Sequence, residues 1–258
     1  GWGGGTGTEE ATIASYLGPN LLDGQFDFPL YWPLQEALAK ENLSLSWLGD
    51  AIVGSYAYYG QEAIMSSFLG NHDLPRFISI ASGDNLNSCP DGSSPVAWMC
   101  PPGPVVDQEP YDRLLRAFTV LAAGPEVPLL YYGDEIGLPG ANDPDNRRMM
   151  NWGGLSAAQE TLRTQVRALF SARAKSLALR RGDVSVASAN DTYLVLRRST
   201  DSDIAFGAVN VGGEAVEVKL DMPEGGALID ALTQESFEAV EGTLTLALPA
   251  KSARLLVR

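Results

Sequence analysis

Ala63-Ile64-Met65-Ser66-Ser67-Phe68-Leu69-Gly70-Asn71-His72-Asp73-Leu74-Pro75-Arg76 is an apolar run that opens into a polar loop. Residues 63–69 have the length of a short buried strand and end at a glycine, the usual boundary of such a strand. The three residues after Gly70 all carry strong hydrogen-bonding side chains. Parallel barrels and open α/β sheets hold their ligands at the C-terminal ends of their strands, so Asn71, His72 and Asp73 are candidates for a binding or catalytic cluster. The same tripeptide can instead form an Asx turn, with Asn71 and Asp73 bonding local backbone and His72 filling a gap. Spacing alone leaves both readings open.

The theme of short apolar strand followed by helix repeats on either side. Upstream, Phe26-Asp27-Phe28 is expected as a strand, and Pro33 is expected to open a helix over residues 34–48, because proline is tolerated at a first helical position. Downstream, Pro110 starts a helix over residues 111–123 with Leu114, Leu115, Phe118, Val120 and Leu121 as apolar residues, stopped by Gly124-Pro125. Residues 127–132 are nearly continuously apolar, which predicts a buried parallel strand; they run into Gly133-Asp134-Glu135. Ser156 and Gln159 form a capping box at the head of a long helix, whose face Leu162, Val166, Leu169, Phe170, Ala174 and Leu177 continues until Gly182. From Val184 to Val257 short alternating runs recur between Gly, Asn, Asp and Pro, the pattern of a small antiparallel β-sandwich. The expected organisation is an α/β unit over residues 1–181 followed by a β-sandwich over residues 182–258.

Composition narrows the function. The 258 residues are 45% hydrophobic and 19% charged, ordinary for a globular chain. Eighteen Lys and Arg against 32 Asp and Glu leave a net charge of −14, a field that repels phosphate backbones and anionic lipid headgroups. Neither nucleic acid nor a membrane is an expected partner. No apolar run reaches the roughly 20 residues of a membrane helix, and the Gly-rich start lacks the pattern of a signal peptide, so an export signal would lie elsewhere. Cys89 and Cys100 bracket one Pro- and Gly-containing loop and are expected to close a short disulfide ring, a sign of a secreted or periplasmic protein; two free thiols are the alternative. A single histidine leaves no cluster for zinc, and neither G-x-S-x-G nor the P-loop pattern occurs. Gly1 to Gly7 is glycine-rich but follows no strand, so it is no phosphate cradle.

Residues 68–76, quoted above, resemble the last of the sequence motifs of the α-amylase family, glycoside hydrolase family 13, on the seventh strand of its barrel. Three further stretches resemble the family in the same order: residues 22–30 its sixth strand, residues 129–138 its eighth, and residues 142–152 the loop beyond it. The terminal sandwich is similar to the family's domain C. The resemblance implies the C-terminal portion of a TIM (β/α)8 barrel with its sandwich, and an enzyme cleaving α-1,4-glucosidic bonds of starch or maltooligosaccharides with retention. It implies that Asp73 is the catalytic carboxylate stabilising an oxocarbenium-like transition state, with His72 and Asn71 beside it on the sugar. It also implies that Asp143 and Arg147 bind glucose units on the non-reducing side; an ion pair pinning their loop is the alternative. Asp134 and Glu135 are mostly framework in the family.

Retaining hydrolysis needs a nucleophile and an acid–base carboxylate about 5–5.5 Å apart, and nothing in the chain resembles the family's segments for either. Glu9 and Glu10 head a helical, exposed segment and are poor substitutes. A full barrel takes about 250 residues, more than the α/β part offers. The expectation is therefore a fragment, inactive by itself, whose unpaired sheet edges invite either the missing part of the barrel or self-association. No cofactor is identifiable, and calcium in the family is held largely by parts absent here. A non-catalytic glycan-binding or scaffold protein, and a transglycosylase of the same family, are the alternative functions.

Overall fold

Backbone hydrogen bonds between three parallel segments organise the first part of the chain, which a computed structural model describes over residues 8–83, 101–223 and 225–258. Its helices are α1 (Thr8–Ala14), α2 (Phe28–Leu34), α3 (Leu45–Tyr59), α4 (Phe77–Ala81), α5 (Gln108–Ala123), α6 (Ala157–Lys175) and α7 (Leu177–Arg181). Strands β1 (Ser66–Phe68) and β2 (Val127–Leu129) pair in parallel, Ser66 opposite Val127 and Phe68 opposite Leu129. Residues 23–27 lie parallel along the other edge of β1. There the Ile64 amide donates to the Asp23 carbonyl at 2.8 Å, Ser66 to Gln25 at 2.9 Å and Asp27 to Ser66 at 2.9 Å.

Two expectations need correction here. Residues 26–28 do not form one strand, because the chain turns helical at Phe28. Asp27 accepts the Leu30 amide on Oδ1 at 2.9 Å and Pro29 sits in the first turn, so Asp27 is a helix N-cap. Pro33 consequently lies inside α2, not at a helix start, and the chain behind it widens into a π-helical stretch, Gln35–Ala39. The expected helix over 34–48 is thus divided: the π-helical stretch ends at Ala39, and only residues 45–48 belong to α3. The other correction concerns residues 127–132, of which only Val127–Leu129 are strand. They are not deeply buried: Val127 and Leu130 are exposed, since β2 has β1 as its only strand partner among the described residues.

The long helix carries both halves of its capping box. Gln159 N–H donates to Ser156 Oγ at 3.3 Å and Ser156 N–H to Gln159 Oε1 at 3.0 Å. The helix breaks once before Gly182, at Ser176, whose Oγ caps α7 by accepting the Leu179 amide.

The remainder is antiparallel: β3 (Asp183–Ala189), β4 (Tyr193–Ser199), β5 (Ile204–Asn210), β6 (Val216–Asp221), β7 (Gly226–Asp230), β8 (Ser236–Ala239), β9 (Thr243–Leu248) and β10 (Ala253–Val257). Six strands form one sheet in the order β3-β4-β5-β10-β7-β8, and β6 pairs with β9 in a second. Alternation divides their side chains between two cores. Val195, Phe206, Leu228, Leu244 and Leu246 pack between the sheets. Leu194, Leu196, Ala205 and Leu255 face the other way and join one continuous core with Leu48 of α3, Phe118 of α5 and Leu169 of α6.

That contact is close. A Cβ added to Gly207 of β5 would stand 2.2 Å from the Cβ of Ala123, so only glycine fits there. Two buried arginines take the carbonyls where α5 ends: Arg173 of α6 donates to Ala122 and Gly124, each at 2.8 Å, and Arg198 of β4 donates to Ala123 at 3.0 Å. Positive charge at a helix C-terminus also suits its dipole. No helix among the described residues is long and apolar enough to cross a membrane. Cys89 and Cys100, and the Gly1 to Gly7 stretch, lie outside the described residues.

Candidate functional site

The end of β1 is fixed from below before any functional side chain appears. Gln35, buried within the π-helical stretch, donates its Nε2 to the Leu69 carbonyl at 2.8 Å. Arg76, fully buried, ties the return of the loop to two other segments. Its Nε donates to the Asn146 carbonyl at 2.9 Å, and its Nη1 to Asp134 Oδ1 at 2.8 Å and to the Tyr132 carbonyl. The guanidinium also lies over the rings of Tyr131 and Tyr132, 4.0 and 4.8 Å from their centroids. Asn146, likewise buried, donates its amide to the carbonyls of Asn71 at 3.2 Å and Leu74 at 2.8 Å. Residues 70–76 are thus clamped by neighbours whose hydrogen bonds set their backbone path.

On this platform Asn71, His72, Asp73, Asp143 and Arg147 come together. Asn71 Oδ1 accepts the Asp73 amide at 2.8 Å, so the Asx turn does form, and it is Asn71 that makes it. The Asp73 carboxylate has no backbone partner among the described residues: it is 62% exposed, with Oδ2 3.4 Å from His72 Nε2 and Oδ1 3.5 Å from Arg147 Nη2. Arg147 donates its Nε to the His72 carbonyl at 3.0 Å and pairs with Asp143 Oδ1 at 3.0 Å. Both readings of the Asp143–Arg147 pair are therefore compatible with the geometry, since the arginine pins its loop and also faces Asp73. Asp145 holds the same loop by accepting the Ala141 amide at 2.8 Å and both the Nε and Nη2 of Arg148, at 2.9 and 2.6 Å.

Asp134 stands apart from this exposed group. Burial pushes its carboxyl up to about 6, against the pull of Arg76, with Glu135 adding to the rise. Its 2.8 Å contact with Arg76 makes it the counter-charge of the buried guanidinium. Glu135 accepts the Gly133 amide at 2.7 Å, where Gly133 takes a left-handed φ of 87°. Neither side chain reaches the Asp73 cluster, in keeping with a framework role. Among the described residues no group of three or more His, Cys, Asp or Glu side chains is placed to hold a metal ion. Sequence reasoning passed over Arg76, Asn146 and Gln35. Their partners lie 34 to 75 residues away in sequence, so no local pattern marked them.

No protein-family model matches the chain. It is 31% identical over 240 residues to a cyclomaltodextrinase of Geobacillus thermopakistaniensis (strain MAS1), covering 90% of this chain and 36% of that protein. It is 36% identical over 239 residues to neopullulanase 2 of Thermoactinomyces vulgaris, covering 88% and 36%. The solved α-amylase of Geobacillus thermoleovorans, crystallised with acarbose, superposes with a TM-score of 0.78 at 26% identity, over 99% of this chain and 52% of that one. The chain belongs to the α-amylase family, glycoside hydrolase family 13. Its fold is the C-terminal portion of the α-amylase-family barrel followed by an antiparallel sandwich. It spans about a third of the length of these two curated relatives and about half of the solved α-amylase.

Proposed function

We propose that the chain supplies part of the active centre of a retaining glycoside hydrolase acting on α-1,4-glucosidic bonds of starch or maltooligosaccharides. The observation that supports this is the Asp73 carboxylate, presented to solvent at a strand end beside His72 and Arg147. A carboxylate so placed stabilises positive charge as it develops on a flattened sugar ring, more strongly in the transition state than in the bound substrate. His72 donates to the same ring, and Arg147 with Asp143 holds glucose units farther along the chain. The nucleophile and the acid–base group come from a part of the intact protein outside this chain. The cyclomaltodextrinase and amylopullulanase relatives are named for action on α-glucans, which supports that substrate class. Maltose and maltotriose were bound by similar solved proteins.

In the intact protein, Asp73→Asn should lower turnover of maltooligosaccharides by orders of magnitude while the folded circular-dichroism spectrum is kept. Unchanged turnover would remove Asp73 from the chemistry and leave a glycan-binding role. A product analysis separates the remaining outcomes: free reducing sugar marks hydrolysis, and longer or cyclic glucans mark transfer.

A further inference from the structure

A groove of about 640 Å³ lies between α2 and α3, away from Asp73 and lined by none of the residues of that cluster. Its size is within the roughly 300–1,000 Å³ of small-molecule sites. Trp32, Trp47 and Tyr58 supply its aromatic surface, Leu43 part of its floor, and Glu10 and Glu36 its charge. Trp47 and Tyr58 are 51% and 52% exposed, unusual for such large apolar side chains. Edge-to-face contacts orient two of these rings: Tyr31 lies 4.9 Å from Trp32, and Tyr59 lies 5.4 Å from Tyr58.

The polar groups of the groove are unfinished. Trp32 Nε1 and Glu10 Oε2 are shielded from solvent and have no hydrogen-bond partner among the described residues. One is a donor and the other an acceptor, and such groups carry a penalty until something pairs with them. Glu36 is already engaged, by Lys40 and Asn42. Among the described residues no lysine or arginine lines the groove, so an anion finds no counter-charge there. The complement of aromatic faces with one unmatched donor and one unmatched acceptor is an uncharged polyol with apolar ring faces.

We infer that this groove is a second glucan-binding site, in which two or three pyranose rings stack on Trp47 and Tyr58 while their hydroxyls pair with Trp32 Nε1 and Glu10. The choice of glucan as the polyol rests on the α-glucan reading above. The groove holds the enzyme to polymeric substrate and takes no part in bond cleavage.

The test is migration of the intact protein through native gels containing amylopectin, with the catalytic cleft saturated by acarbose. Trp47→Ala and Tyr58→Ala should each weaken retention on the order of tenfold, about 1.4 kcal/mol. Trp47→Phe, which keeps an aromatic face, should restore most of it. Cleavage of maltotriose should be unchanged in all three. Retention equal to the parent in both alanine variants overturns the inference, as does a parent that shows no retention; a groove covered by another protein segment gives that same null result. Loss of α-glucan cleavage with Trp47-dependent retention intact would sink the catalytic reading and leave this one standing.

Discussion

Asp134 and Asp73 leave neighbouring strand ends in opposite electrostatic settings. Asp134 is buried against Arg76 at 2.8 Å, and its value near 6 reflects the cost of desolvating a carboxylate. Removing it leaves a buried guanidinium without a counter-charge, so Asp134→Ala should cost about 3–5 kcal/mol in chemical denaturation. Replacing both partners by apolar residues of similar size, as in Asp134→Leu with Arg76→Met, should recover much of that loss. An equal cost for the single and double variants would show that the arginine's other hydrogen bonds matter more than the charge pair. Arg147 is different, being 44% exposed and shared between Asp143 and Asp73. Exposed pairs of this kind add little to stability. Arg147→Ala in the intact protein should leave Tm nearly unchanged and raise KM for longer maltooligosaccharides more than for the shortest cleavable one. A uniform loss across chain lengths would assign Arg147 to its loop alone.

At the scale of elements, three segments meet at a buried acidic cluster. Asp27 at the head of α2 and Glu126 just before β2 both approach the Ser55 hydroxyl of α3, which lies 3.3 Å from Glu126 Oε1 and bonds Asp27 Oδ2. Burial and the adjacent Asp27 carboxylate raise the Glu126 carboxyl well above its ordinary 4.5. Tyr59 of α3 lies within electrostatic reach of Asp27 and Glu126, and of Glu10 of α1; Arg173 reaches only the Glu126 backbone carbonyl, at 2.7 Å. A carboxyl whose folded value is raised binds its proton more tightly when folded. Its contribution is complete below about 4.5 and is lost as pH climbs through the raised value. Glu126→Gln, neutral at every pH, should therefore raise Tm at pH 7 and flatten the fall in Tm between pH 5 and 7; an unchanged slope would place the titration elsewhere. At the head of α6, Ser156→Ala should cost about 1 kcal/mol by deleting one half of the capping box.

These elements show what the sequence could and could not reveal. The α6 cap was legible because Ser156 and Gln159 act within four residues of each other, and β1 was legible because its apolar run ends at Gly70. Asp27 misled because Phe26 and Phe28 make it look like the polar position of a strand, although Pro29 right behind it was a helix-start signal. The burial of β2 was overestimated because apolar character reports a preference for the interior and says nothing about which neighbours are present. At the site, the loop residues were legible by type, whereas the Arg76–Asp134–Asn146 clamp joins positions 58 and 70 residues apart and left no local pattern.

For the whole molecule, the deciding feature is that helices and sandwich share a core. Phe118, Leu169, Leu196 and Leu255 belong to one buried cluster, so the two parts should unfold together in a single transition. The opposite side of the parallel sheet is less well served: Phe26, Ile64 and Val127 share that face by register and remain exposed, an apolar surface suited to association. The seam between α5 and β5 gives the sharpest test of the shared core. Gly207 approaches Ala123 so closely that a methyl group would overlap it. Gly207→Ala should destabilise by about 1–3 kcal/mol through overpacking, with loss of both near-ultraviolet and far-ultraviolet signals at one midpoint. Ala123→Gly alone should cost roughly 0.5–1 kcal/mol of helix propensity at the end of α5. Combined, the two substitutions exchange the methyl group across the seam, so the double variant should be more stable than the sum of the single costs requires. A coupling near zero would mean that the sheet and the helix yield independently, and separate midpoints for the two signals would then follow.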